Sequence, residues 1–236
     1  MDIDINSTSF AVAFLAGLIP ALFWLWFWLK EDKKNPEPLL LIALSFIGGM
    51  LVVPLVIPLQ YLAMNTYSDV SLMFAWVVIE EVMKYGVALL VILWNRAVDE
   101  PIDVIIYMIA IALGFAALEN TLYVLGALSN EGLLSGILTG NLRFVGATLL
   151  HVLASGTIGV FLALAFYSST WIKNLMGLIG LSLAIILHFI FNFSLMLDNE
   201  NSILGVFLFV WMGIIILLIL FEKVKIVESK HQELIK

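Results

Sequence analysis

Residues 77–94, VVIEEVMKYGVALLVILW, carry Glu80, Glu81 and Lys84 inside a run otherwise suited to cross a bilayer. At the bilayer centre each charge costs roughly 2.5–3.5 kcal/mol, while a leucine returns only about 0.3–0.6 kcal/mol. Charges at that price cannot face lipid, so they must face each other or a polar interior. Glu80 precedes Lys84 by four residues and Glu81 precedes it by three, so one helical face predicts contact of Lys84 with both carboxylates. Three more apolar segments hold polar groups: Glu119 and Asn120 in GFAALENTLYV, His151 in ATLLHVLASG, and His188 with Asn192 in LHFIFNFS.

These residue types suit hydrolysis of a peptide bond. A carboxylate can take a proton from water, a neighbouring imidazole can orient that water, and an amide can donate to the oxyanion that forms. No Ser/His/Asp or Cys/His pattern is present; Ser155, one turn from His151, is a weak nucleophile candidate. The leading reading needs no cofactor. Zinc is the alternative, with Glu80, Glu119, His151 and His188 as ligands, because zinc takes imidazole nitrogen and carboxylate oxygen and keeps a position for water. The EExxK stretch lacks the paired histidines of the usual zincin helix. Residue types alone leave both versions open.

The elements that must position these groups are transmembrane helices. The chain is 236 residues long, 63% hydrophobic and 12% charged, about half the charge of a soluble domain. An all-α polytopic bundle of about seven spans is expected, at roughly 9–29, 38–62, 70–94, 103–128, 143–168, 171–197 and 201–221. One membrane-embedded domain over 1–236 is predicted, with the polar core at 75–195 and a helical tail at 222–236. MDIDINSTS lacks a basic n-region, so the first span reads as an anchor. Asp99, Glu100 and Pro101 are a start signal for the fourth span. Residues 129–142 read as a loop or a short interfacial helix, and Trp24, Trp26 and Trp28 as an interfacial belt. Without cysteine, disulfides and thiolate metal sites are excluded. The thinly spread net charge of −7 argues against nucleic acid as a partner.

Nine of the 11 basic residues fall on one side of the predicted spans, among them Lys30, Lys33, Lys34, Arg96, Lys173, Lys230 and Lys236. The positive-inside rule then gives an external N-terminus and a cytoplasmic C-terminus. Counted from the external ends, Glu80 is about 10 residues in, Glu119 about 9, His151 about 8 and His188 about 9, a shared depth of about 12–15 Å. Four helices agreeing on one layer predict one internal polar site. His231 in the tail reads as a surface residue.

EEVMK, then DEPIDVIIYMIAIALGFAALENTLYV, then LRFVGATLLHVLASGTIG, then LHFIFNF together resemble PrsW-type intramembrane proteases, relatives of the CAAX prenyl proteases and the CPBP superfamily. The resemblance implies that Glu80 and Glu81 are the paired catalytic glutamates, with Lys84 the basic residue after them. It implies that Phe115 and Glu119 form the second motif, that His151 is the third-motif histidine, and that His188 and Asn192 resemble an oxyanion hole. Asp99, Asp103 and Arg143 also fit the pattern, and their positions at membrane edges suggest structural or gating roles. The substrate it implies is a single-pass membrane protein, such as an anti-sigma factor, cut near the extracytoplasmic face of the cell membrane. A proton-coupled transporter and a non-catalytic binding or immunity protein are the competing readings of the same polar layer.

Overall fold

The structure is a computed structural model describing residues 7–31, 36–92, 95–197 and 200–235; of Glu31, 200–203 and 227–235 only the backbone is described. The expectations for Lys33, Lys34 and Lys236, and for the side chains of Lys230 and His231, lie outside the described residues. Among the described residues the chain is helical, with no strand. Its elements are α1 (Ser7–Glu31), α2 (Leu39–Met64), α3 (Asp69–Val91), α4 (Pro101–Glu131), α5 (Leu133–Leu142), a π-helical turn (Arg143–Ala147), α6 (Thr148–Leu164), α7 (Thr170–Met196) and α8 (Glu200–Ile235).

Among the described residues six stretches are long and apolar enough to cross a membrane: α1, α2, α4, the continuous run Leu133–Leu164, α7 and Leu204–Ile226 of α8. The predicted third span is α3, which has 23 residues but carries the three charges that set it apart. Its start is fixed by Ser68 and Ser71, whose side chains and backbones cap one another reciprocally. α4 starts where Asp99-Glu100-Pro101 predicts. Pro101 takes the first turn, and Asp103 Oδ2 accepts the backbone N–H groups of Asp99 (2.9 Å) and Glu100 (2.7 Å). Residues 133–142 are neither a loop nor a separate interfacial helix. They run through the π turn into α6, and Gly132, at φ 90°, breaks the chain from α4.

α4 is the central post. Of its most apolar 18-residue window 94% is buried within the protein, against 22% for α1 and α7, so α4 faces protein where those face lipid. Glycines let its neighbours approach this closely. A Cβ on Gly114 would lie 1.8 Å from the Phe46 carbonyl oxygen, and one on Gly49 would lie 2.0 Å from that of Ile111, so α2 and α4 cross backbone to backbone. The outer surface is apolar, with Leu40, Leu90 and Ile19 exposed. The tryptophan belt is only partly as expected. Trp26 is exposed beneath Lys30, whereas Trp28 is buried against Phe221 of α8 and Trp24 packs on Phe27, Phe144 and Trp211.

Candidate active site

α3 presents Glu80, Glu81 and Lys84 inward, and the last two are wholly buried. Lys84 Nζ donates to Glu81 Oε1 at 2.5 Å, and its second partner is Nδ1 of His151 on α6, at 3.1 Å. It makes no ion pair with Glu80, contrary to the spacing-based expectation. Glu80 turns instead to α2, where Gln60 Nε2 donates to its Oε1 at 2.8 Å. Phe115 of α4 closes the floor, its ring 4.7 Å from Lys84 Nζ and edge-on to His151.

The partners determine the histidine tautomers. An ammonium only donates, so His151 accepts at Nδ1 and carries its proton on Nε2, which faces Glu119 Oε2 at 3.1 Å. His188 Nδ1 donates to Glu81 Oε1 at 2.7 Å, which leaves its Nε2 lone pair facing Glu80 Oε2 at 3.8 Å. The two imidazoles meet edge to face at 5.1 Å. Glu119 is also ion-paired with Arg143, whose Nε donates to Asn120 Oδ1 at 2.5 Å, while Asn120 Nδ2 donates to Thr148 Oγ1 at 2.9 Å. A chain of polar contacts thus runs Glu81, Lys84, His151, Glu119, Arg143, with neutral His151 joining the two ion pairs and linking α3, α6, α4 and the π turn.

That turn has a clear local task. A π turn accommodates one residue more than an α turn, and such bulges recur at functional sites. Here the Thr148 N–H and Oγ1 both return to the Arg143 carbonyl, and the Arg143 guanidinium reaches back onto α4, over the Tyr123 ring at 3.8 Å.

A cavity of about 620 Å³ opens onto this cluster. Glu80, Glu119, Arg143, His151, His188 and Asn192 line its polar end; α3, α7 and α8 supply an apolar wall that includes Trp76, Phe191 and Phe207. Asn192 makes no hydrogen bond among the described residues, so its amide is free toward the cavity. The second oxygens of Glu80 and Glu81 are buried and have no hydrogen-bond partner. Ser155 is buried but neither lines the cavity nor bonds His151, which removes the weak nucleophile candidate. Asp103 caps α4, as its membrane-edge position suggested. Arg143 is more than an edge residue, since it holds Glu119. Residue patterns alone missed Gln60 and Thr148, and also the buried bond from Tyr107 to Glu37 near the start of α4.

Three residues could meet a divalent metal: Glu80, His151 and His188 each offer a ligand atom, all within 4.8 Å of one another, with His151 having to exchange its present bond to Lys84 or to Glu119 for the ion. Two imidazoles and one carboxylate beside a cavity are a donor set zinc uses when it keeps an open position. His188 is already oriented by a carboxylate on its other nitrogen, and Glu80 Oε2 is an orphaned acceptor. Glu119, the fourth ligand considered from sequence, is occupied by His151 and Arg143.

Residues 37–220, which contain every polar group above, match the model of a family described as PrsW family intramembrane metalloprotease. The chain belongs to this family. Protease PrsW of Oceanobacillus iheyensis is 30% identical over 184 residues, covering 76% of this chain and 81% of that protein. Protease PrsW of Clostridioides difficile is 28% identical over 206 residues, 84% of each. Protease PrsW of Bacillus subtilis is 29% identical over 115 residues, 47% of this chain and 53% of that protein. No solved structure matches the chain. As a PrsW-family member it is a multi-pass membrane protein and an intramembrane protease. Its α1 lies outside the matched residues.

Proposed function

We propose that this protease cuts a membrane-anchored protein, a single-pass one such as an anti-sigma factor, near its extracytoplasmic face, with water activated at Glu80. One observation carries this reading: Glu80 Oε2 and His188 Nε2, both without a close partner, face each other across 3.8 Å at the end of a cavity. A water there donates one hydrogen to Glu80 Oε2 and the other to His188 Nε2. Its oxygen attacks the scissile carbonyl carbon, and the proton passes to Glu80 and then to the leaving amine. The Asn192 amide donates to the oxyanion. His188, backed by Glu81, joins it only when both ring nitrogens carry protons. Lys84 holds Glu81, while Glu119 and Arg143 hold His151.

A second reading is favoured by the three clustered ligand atoms. Glu80, His151 and His188 would hold a zinc-like ion, which when bound acidifies water and polarises the carbonyl. Glu80 is essential in both versions. The proposed orientation, with the N-terminus outside and the C-terminus cytoplasmic, rests on the basic residues. The cavity supports an outward-facing site, because Asp69 and Met196 in its lining lie at helix ends opposite Lys30, Arg96 and Lys173.

New protein N-termini should be compared in cells making the wild type or Glu80→Gln at matched levels. Termini of membrane-anchored proteins just outside the bilayer, present with wild type alone, are the expected result. Identical termini in both strains, with the protein stably inserted, would refute the role of Glu80.

A further inference from the structure

Glu80 precedes Lys84 by one helical turn, the order in which a carboxylate and an ammonium most readily pair. Yet Lys84 is bonded to Glu81 and His151, and Glu80 is held away from it by a residue 20 positions earlier on another helix. Gln60 donates its amide hydrogen to Glu80 Oε1 at 2.8 Å. Its own backbone carbonyl accepts the indole N–H of Trp76 at 3.1 Å, and Trp76 lines the cavity. Among the described residues no other hydrogen bond or ion pair to Glu80 is shorter than the 3.8 Å approach of His188.

The geometry points to Gln60 as a positioning residue for the reaction. It pins one oxygen of Glu80, leaves Oε2 as the single reactive oxygen facing His188, and keeps the carboxylate from swinging into an unproductive ion pair with Lys84. A carboxylate freed from Gln60 would stay buried but face the wrong partner. The cost falls on turnover, because the wall that contacts substrate is unchanged. Trp76 ties the arrangement to the cavity: it braces the α2 backbone that carries Gln60 while its own ring forms part of the wall.

This inference rests on the proposed role of Glu80, and its test separates the two. The probe is a quenched fluorogenic peptide spanning the junction found in the N-terminus comparison, with purified full-length protein in micelles. Gln60→Met keeps the length and removes the donor. It should lower kcat roughly 10- to 100-fold, the scale of misplacing a reacting group by about 1 Å, with KM within about threefold. It should still fold, with its melting temperature lowered by roughly 2–12 °C for the bond lost to a buried carboxylate.

The second arm is a cycle with Glu80→Asp, whose carboxylate is one methylene too short to meet Gln60. There Gln60→Met should cost nothing further. Should Gln60→Met fail to fold, Gln60→Asn, which keeps the amide but withdraws it, should show the same loss in part. Unchanged kcat in the folded variants, or full additivity with Glu80→Asp, overturns the positioning role. Full cleavage by Glu80→Gln overturns the underlying reading instead.

Discussion

Lys84 is the point where stability and chemistry meet, and replacing it with methionine has a calculable consequence. The side chains of Lys84 and Glu81 are both fully buried, with Nζ 2.5 Å from Oε1. Removing one partner of a buried pair costs about 3–5 kcal/mol, because the other charge is left without compensation. His151 Nδ1 also loses its donor, worth about 1–3 kcal/mol. Against this, His188 still donates to Glu81 at 2.7 Å and relieves part of the exposed charge. A net loss of about 3–5 kcal/mol follows. At about 2–4 °C per kcal/mol for a chain of this size, the melting temperature should fall by roughly 6–20 °C. Adding Glu81→Gln should recover most of it, since a glutamine carbonyl can still accept from His188 and no unpaired charge remains. Activity should not return with stability, because His151 and His188 have lost the charges that orient them. Thermal melts of the wild type, the single and the double variant in one detergent test this. A single variant within about 2 °C of wild type, or a double variant no more stable than the single, would refute the reasoning.

Gly114→Ala should destabilise by about 1–3 kcal/mol or more, since its Cβ would sit 1.8 Å from a backbone oxygen of α2 that cannot move alone. Gly126→Ala, where nothing lies within 4 Å, is its control and should be neutral or gain up to about 1 kcal/mol of helix propensity; thermal melts read both. Arg143→Lys keeps the charge but loses the fork that holds Glu119 and Asn120 together. kcat should drop about tenfold or more, the value of one charge-assisted hydrogen bond, with little change in melting. On the metal reading, 1,10-phenanthroline should abolish cleavage and zinc should restore it. Elemental analysis should then find about one metal per chain, lost in His188→Ala. Chelator-resistant cleavage by metal-free protein would leave Glu80 as the base without an ion.

What could be read from the sequence was whatever depends on one helix at a time. Charges in an apolar run must be internal, and depth counted along each helix put Glu80, Glu119, His151 and His188 in one layer; their contacts across α3, α4, α6 and α7 agree with that count. Asp99, Glu100 and Pro101 marked the start of α4 because helix-start chemistry is local, although the capping side chain proved to be that of Asp103. Helical spacing could not say which of two neighbouring carboxylates Lys84 would choose. That choice depends on His151 and Gln60, which other helices deliver. The centrality of α4 was hidden too, because an apolar helix reads alike whether it faces lipid or protein; its burial by its neighbours and the Gly49 and Gly114 crossing distinguish it in the packed bundle.

Arg143 looked like an edge residue because the fifth span was expected to begin at 143, whereas the helical run begins at Leu133 and carries Arg143 inside it. The π turn redirects it onto Glu119, and no residue type announces a π turn. Gln60 is the sharpest case. Between prolines 54 and 58 and the end of α2 it reads as an ordinary polar residue near a membrane surface. Its meaning comes from a bond that fixes one carboxylate oxygen. In a site built from several membrane helices, residues that do chemistry betray themselves by the cost of their charge. A neutral residue that aims them, such as Gln60, is inexpensive to bury with one partner and is visible only once the helices are packed.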